Sequence, residues 1–190
     1  MMMIALQHDN HYILAFGQRE VFHEVLDLPT EAMHENLPVF ITENAPLTWC
    51  AGLGMMRELD LFRYRPLVQG TLDTATLIKD IVPIMTASIK EIGLIDKDNE
   101  YRGQFLFAQG KQAWLVRHTK EVRVIQGFYA TMNYDMAKSY QDLFEHVPPF
   151  LRVQKIMQAV NRHYGYLTYP MVMVSTQEAS IRILRKEESL

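Results

Sequence analysis

Residues able to do chemistry are thinly spread along this chain. Cys50 is the single cysteine among 190 residues, so no intramolecular disulfide can form. It lies in an apolar run between Leu47 and Ala51. Free cysteines are among the most buried residue types, and we read Cys50 as a core thiol rather than a nucleophile. His8-Asp9-Asn10-His11 sets two imidazoles and a carboxylate within one turn, residue types that ligate zinc. Apolar runs flank it on both sides, and the simpler reading is an exposed hairpin turn. Asp96, Asp98 and Glu100 alternate as in a calcium loop, but Tyr101 stands where that loop needs glycine. We read that stretch as a turn. Gly52-Leu53-Gly54 continues without the third glycine of a phosphate-cradling loop. Arg19 and Glu20 read as a rim ion pair rather than a substrate clamp. The expectation is no metal and no cofactor.

Composition narrows the class further. A net charge of −3, with 48% hydrophobic and 22% charged residues, is an ordinary globular balance. The 19 lysines and arginines form no stripe interleaved with aromatics, so a nucleic-acid partner is not expected. Twelve methionines fall mostly in predicted strands and helices, where they fill core gaps; only Met1-Met2-Met3 cluster. No apolar run approaches the ~20 residues of a membrane-spanning helix. The start is apolar but lacks a basic n-region and turns polar at Gln7. The expected protein is cytoplasmic, makes no membrane contact and comprises one domain, 1–190.

Periodicity then places the elements. Met2 to Gln7 and Tyr12 to Phe16 read as a hairpin around an Asn-bearing turn. Glu20 to Val25 reads as a strand or rim and 27–36 as a loop. Pro38 to Thr42 and Leu47 to Ala51 form a second strand pair around Glu43–Pro46, and Met55 to Phe62 a helix. Ile78, Val82, Met85, Ile89 and Ile92 recur at steps of three and four, one buried face of a longer helix. Pro83 is expected to kink or divide that helix, and Gly93 to cap it. Strands follow at Gly103–Ala108, Gln112–His118 and Glu121–Ile125, joined by Gln109–Lys111 and Thr119–Lys120, then at Phe128–Thr131. Asn133 or Asp135 can cap a helix bearing Met136, Tyr140, Leu143 and Phe144. Pro148-Pro149 starts the next, with Phe150, Val153, Met157, Val160 and Tyr164 on one face. Met171–Ser175 and Ser180–Leu184 close as a hairpin. Strands, two helices, strands, two helices, strands is an α+β order. It suggests two antiparallel sheets packed face to face, each covered outside by a helix pair.

That order, with its local stretches, resembles the proteasome β-type subunits and the peptidase of the bacterial heat-shock-locus ATP-dependent protease. These are N-terminal nucleophile hydrolases with a four-layer αββα sandwich. Ile4-Ala5-Leu6-Gln7 with Ile13-Leu14-Ala15 resembles the family's first hairpin. Trp49-Cys50-Ala51-Gly52 before a helix resembles its strand ending in Ala-Gly. Phe105–Ala108 with Trp114–Val116 resembles its hydrophobic strand, glycine turn and aromatic-aliphatic strand. Gly127-Phe128-Tyr129-Ala130 before a helix with Ala137 resembles its strand-to-helix crossing.

The resemblance implies a site whose chemistry is missing. The family's mature chain begins with a threonine whose own α-amine serves as base. The matching position here holds Met1 or Met2, and removing an initiator methionine exposes another methionine. The family's aspartate falls on Gly17 or Gln18. Its lysine is expected between Leu28 and Phe40, a stretch without lysine or arginine. Its Gly-Ser-Gly-like turn reads Thr131-Met132-Asn133-Tyr134. Only Gly52, whose N–H could serve as an oxyanion donor, remains. Gly70-Thr71 matches the family's autocleavage junction in type, yet helix follows it where a strand is needed. The leading expectation is a non-catalytic structural or regulatory subunit that self-associates, with an active paralogue or an ATPase as conceivable partners. One alternative is an N-terminal-nucleophile-type peptidase or amidohydrolase with relocated groups, such as Cys50 or Thr131 with His118. Another is a small-ligand binding protein using the vacated pocket.

Overall fold

A computed structural model describes residues 2–18, 39–42, 47–53, 68, 70–93, 99–101, 103–164 and 168–184. The element order among them begins β1 (Met2–His8), β2 (His11–Gln18), β3 (Val39–Thr42) and β4 (Thr48–Leu53). Helix α1 follows in three segments, Thr74–Thr76, a π-helical turn Leu77–Ile81, and Val82–Glu91. Then come β5 (Gln104–Gln109), β6 (Gln112–Val116), β7 (Val122–Val124) and β8 (Phe128–Ala130). Helices α2 (Tyr134–Leu143) and α3 (Pro149–Tyr164) precede β9 (Thr168–Ser175) and β10 (Glu178–Leu184). The helix expected over 55–62 and the segments at 20–36, 43–46 and 94–98 lie outside the described residues. The chain forms two compact units, Met1–Leu37 with Gln126–Leu190, and Pro38–Ile125.

The first unit carries a five-stranded sheet in the order β10-β9-β2-β1-β8, every pair antiparallel. β1 and β2 are the expected hairpin, in register from Met2 opposite Gly17 to His8 opposite His11. Asp9 and Asn10 form its turn, with Asp9 in the left-handed region at φ 50°, which aspartate tolerates. Side chains alternate across a strand. Met2, Ile4, Leu6, Ile13 and Ala15 therefore share one face, and they pack with Ala137 of α2 and Val153, Ile156, Met157 and Val160 of α3. Burial of each large aliphatic there contributes about 1.5–3 kcal/mol. Met3, Ala5, Tyr12, Leu14 and Phe16 on the other face are buried too. At the start of β2, beside the hairpin turn, Thr176 clamps Tyr12. Its Oγ1 accepts the Tyr12 N–H at 2.9 Å, and its own N–H donates to the Tyr12 carbonyl at 3.0 Å.

The second unit carries the sheet β3-β4-β5-β6-β7, again antiparallel throughout. Cys50, Phe105, Phe107, Trp114 and Val116 of this sheet pack with Leu72 and with Leu77, Ile81, Val82, Met85 and Ile89 of α1. The expected buried face of this helix is corrected at both ends. Ile78 is 53% exposed, with Leu77 and Ile81 buried in its place, and Ile92 is 44% exposed. At the first end the cause is the π turn, in which the Val82 N–H bonds the Leu77 carbonyl five residues back; Ile92 lies past Glu91, the last helical residue. A five-residue step shifts the buried face relative to a 3.6-residue period. Pro83 follows directly, and it does not divide the helix. Its missing N–H would leave a carbonyl unbonded in a regular helix, and a π turn is one way a helix absorbs such a site. Gly93 ends α1 at φ 72°, as expected. The β5–β6 turn is tighter than the sequence suggests. Gly110 and Lys111 alone make it, and Gln109 belongs to the strand, opposite Gln112.

Candidate functional site

In the first unit, the residues assigned by resemblance gather at one end of the sheet. Met2 and Gly17 are direct cross-strand partners, and Gln18 continues β2 by one residue. β8 lies on the other side of β1, with Ile4 opposite Ala130. One residue further, the Met3 N–H donates to Thr131 Oγ1 at 3.0 Å and the Thr131 N–H donates to the Met3 carbonyl at 3.1 Å. Thr131 thus extends the β1–β8 ladder with its side chain. Met132 and Asn133 complete the β8–α2 junction. Asn133 is the α2 N-cap residue, in the left-handed region at φ 49°, and its side chain makes no cap bond. The sequence suggested such a cap; Asn133 provides the position without the hydrogen bond. Met1 lies outside the described residues.

Met2 is 1% exposed, and its side chain belongs to the hydrophobic cluster shared with α2 and α3. None of Met2, Met3, Gly17, Gln18, Thr131, Met132 and Asn133 ionises near neutral pH. General acid–base chemistry needs a titratable group within reach, and this set of residues supplies none. The one hydroxyl, on Thr131, is held in the ladder. The sequence had no local signal for that role, because its partner is 128 residues away.

Gly52 lies on β4 of the second unit, opposite Phe105, and is buried. Two residues before it, Cys50 is buried among aromatic side chains, and burial pushes its thiol pKa up. A thiol so placed is neither an effective nucleophile nor a metal ligand. In native buffer, iodoacetamide is expected to leave Cys50 unmodified over hours and to label it fully in denaturant. Prompt stoichiometric labelling of the folded protein, read by intact mass, would contradict this placement. His118, offered as a base, sets Nε2 3.7 Å from Glu100 Oε2. Tyr101, at the position that breaks the calcium-loop pattern, is a core residue. Its hydroxyl shares a 2.6 Å hydrogen bond with Thr86 and donates to the Val82 carbonyl at 3.2 Å. Thr71, after Gly70, is exposed just ahead of α1. Among the described residues no group of three or more His, Cys, Asp or Glu is arranged to hold a metal ion. No described helix is long and apolar enough to cross a membrane.

Two five-stranded antiparallel sheets with this element order define the N-terminal nucleophile hydrolase fold of proteasome β-type subunits, in the α+β class. Three solved structures illustrate the likeness. BPH of Thiobacillus denitrificans, in complex with epoxomicin, matches with a TM-score of 0.65 at 15% identity, covering 92% of this chain and 97% of that one. Anbu from Pseudomonas aeruginosa, described as a helical assembly, matches at 0.68 and 10%, covering 100% and 88%. HslV from Trypanosoma brucei matches at 0.57 and 8%, covering 92% and 98%. No protein-family model matches the chain, and no curated protein matches its sequence. At these identities the likeness establishes the fold.

Proposed function

We propose that this chain is a proteasome-fold subunit without an N-terminal nucleophile, acting as a structural or regulatory protein that self-associates. The observation carrying the reading is the filling of the position where the fold would hold its nucleophile. β1 reads Met2-Met3-Ile4-Ala5-Leu6-Gln7-His8, without a threonine, serine or cysteine at any point. Wherever the chain were cut within that strand, no hydroxyl or thiol would come to its end. Opposite it, Gly17 offers no carboxylate. We take 1–190 as one proteasome-like domain, supported by how fully the solved structures are covered, and an unpaired Cys50 accords with a cytoplasmic setting. Self-association is supported by the assembly of Anbu, which shares the fold. We place Met1, Met2, Gly17, Gln18, Gly52, Met132 and Asn133 at the vacated site.

Two measurements on untagged protein test this. Incubation with an α′,β′-epoxyketone, followed by intact mass spectrometry, is expected to show no adduct, with no turnover of proteasome-type fluorogenic peptides. Native mass spectrometry is expected to show a defined oligomer. A covalent adduct would overturn the non-catalytic reading, and a monomer at all working concentrations would overturn the assembly reading.

A further inference from the structure

At the β1–β2 turn Asp9 and Asn10 are exposed, as the sequence suggests, but His11 is 6% exposed and its ring stands edge-on to that of His8. That turn presents no converging set of ligands. The outer face of α1 differs, because its spacing sorts charge by sign. Lys79, Asp80, Pro83, Ile84, Ala87, Lys90 and Glu91 are all exposed there. Successive helical residues are about 100° apart, and every third or fourth returns to one side. Lys79, Pro83 and Lys90 therefore fall along one flank of the face. Asp80, Ile84 and Glu91 fall along the other, and Ala87 lies between the two. The π turn at Leu77–Ile81 rotates Lys79 and Asp80 together, so their order across the face is kept. Ile84, in the middle of the acidic flank, is 47% exposed.

We propose that this face seats a second copy of the chain, the two α1 helices lying side by side and parallel about a two-fold axis that runs along them. The inference rests on the self-associating reading above and gives it an interface. A two-fold axis along the helices sets unlike flanks against each other. Lys79 and Lys90 of one copy meet Asp80 and Glu91 of the other, and the symmetry repeats each pair in the reverse sense. Between the charged ends, Pro83 of one copy meets Ile84 of the other. Ala87 faces Ala87 near the axis, where a small side chain lets the helices approach to about 8–10 Å. An antiparallel pairing would instead set lysine against lysine and carboxylate against carboxylate, and such contacts select against it. A partner of a single sign fits no better, since a basic one meets the lysines and an acidic one the carboxylates. The face is complementary to itself.

Sedimentation of the untagged protein and of two exposed-surface variants tests the pairing. Lys90→Glu puts a carboxylate opposite Glu91, twice in a two-fold contact, and is expected to raise the dissociation constant about tenfold. Lys90→Glu combined with Glu91→Lys only exchanges the signs between the flanks, and it is expected to restore the wild-type value. High salt is expected to weaken the wild-type contact, because its charges are exposed. In a third variant, Ala87→Cys, mild oxidation is expected to give a disulfide-linked dimer, with Cys50 buried and out of reach. A wild-type protein that is monomeric at every working concentration would overturn self-association and this contact together. A wild-type oligomer unaffected by Lys90→Glu, or weakened by it and not restored by the double exchange, would overturn the α1 contact alone. So would an oligomeric Ala87→Cys protein that oxidation leaves uncrosslinked, and the assembly would then use another face.

Discussion

Replacing Gln109 with alanine is expected to destabilise the protein by about 3 kcal/mol, through hydrogen bonds that no conservative replacement reproduces. Gln109 is 7% exposed at the end of β5. Its Nε2 donates to Thr48 Oγ1 at 2.7 Å and to the Gly70 carbonyl at 2.9 Å, while Oε1 accepts the Leu72 N–H at 2.7 Å. The partners fix the amide orientation, since Leu72 offers a donor and Gly70 an acceptor. The carboxamide therefore ties the segment leading into α1 onto β4 and β5. Leu72 is buried in the same cluster as α1, and Asp73 caps that helix by accepting the Thr76 N–H at 2.7 Å. Alanine would leave the Gly70 carbonyl and the Leu72 N–H without this partner. Stranding the buried Leu72 N–H costs about 1–3 kcal/mol, while Gly70 is exposed and its carbonyl can turn to water, so only the net worth of that bond is lost. Glutamate is no rescue: it can accept from Leu72 but cannot donate to Gly70, and it brings a charge into a buried position. Thr48→Val removes one of the three bonds and is expected to cost about 1 kcal/mol. Urea denaturation reads both. At about 2–4 °C per kcal/mol for a chain of this size, Gln109→Ala corresponds to a fall in Tm of about 6–12 °C. A loss below 1 kcal/mol would mean that the segment before α1 holds its place without the clamp.

Gln109 also marks where the sequence stops being informative. Strand alternation and turn residues locate β1, β2, β5 and β6 to within a residue or two, because both signals are local. The same reasoning puts Gln109 in a turn beside Gly110, whereas it belongs to β5. Its partners lie 61 and 37 residues away, and nothing in the neighbouring residues encodes them. Thr131 and Met3 are a second case, and Thr176 with Tyr12 a third, joined across 164 residues. The π turn in α1 failed for another reason. Ile78, Val82, Met85 and Ile89 fit a 3.6-residue period as well as the observed face does, and only the five-residue bond at Leu77 decides between them. Burial of His11 was hidden by its turn-like neighbours. What was legible at the candidate site was the residue types themselves. What was not legible was that Met2 packs into a core.

That packing makes Met2→Thr the sharpest test of how the first strand is used. With the initiator methionine removed, the variant would begin with threonine, bringing hydroxyl and α-amine together on one residue as N-terminal nucleophile chemistry requires. If position 2 faced an open cleft, the change would be structurally mild and could create a reactive group. The structure places it otherwise. Met2 is in the cluster with Ile4, Ile13, Val153 and Met157. Shortening a buried methionine costs about 2–5 kcal/mol when taken to alanine. The threonine methyl recovers part of that, and a hydroxyl buried in apolar surroundings adds about 1–3 kcal/mol. A net loss of about 3 kcal/mol is expected, against less than about 1.5 kcal/mol for the volume-conserving Met2→Leu. The Met2→Thr hydroxyl would also point into packed side chains rather than toward substrate, with Gly17 across from it instead of a carboxylate. Intact mass after epoxyketone treatment is therefore expected to match the untreated variant. An adduct on Thr at position 2 in a protein as stable as the wild type would mean that this end of β1 opens to solvent. The filled-site argument would then fail, and the non-catalytic reading would rest only on the absence of a hydroxyl or thiol from β1.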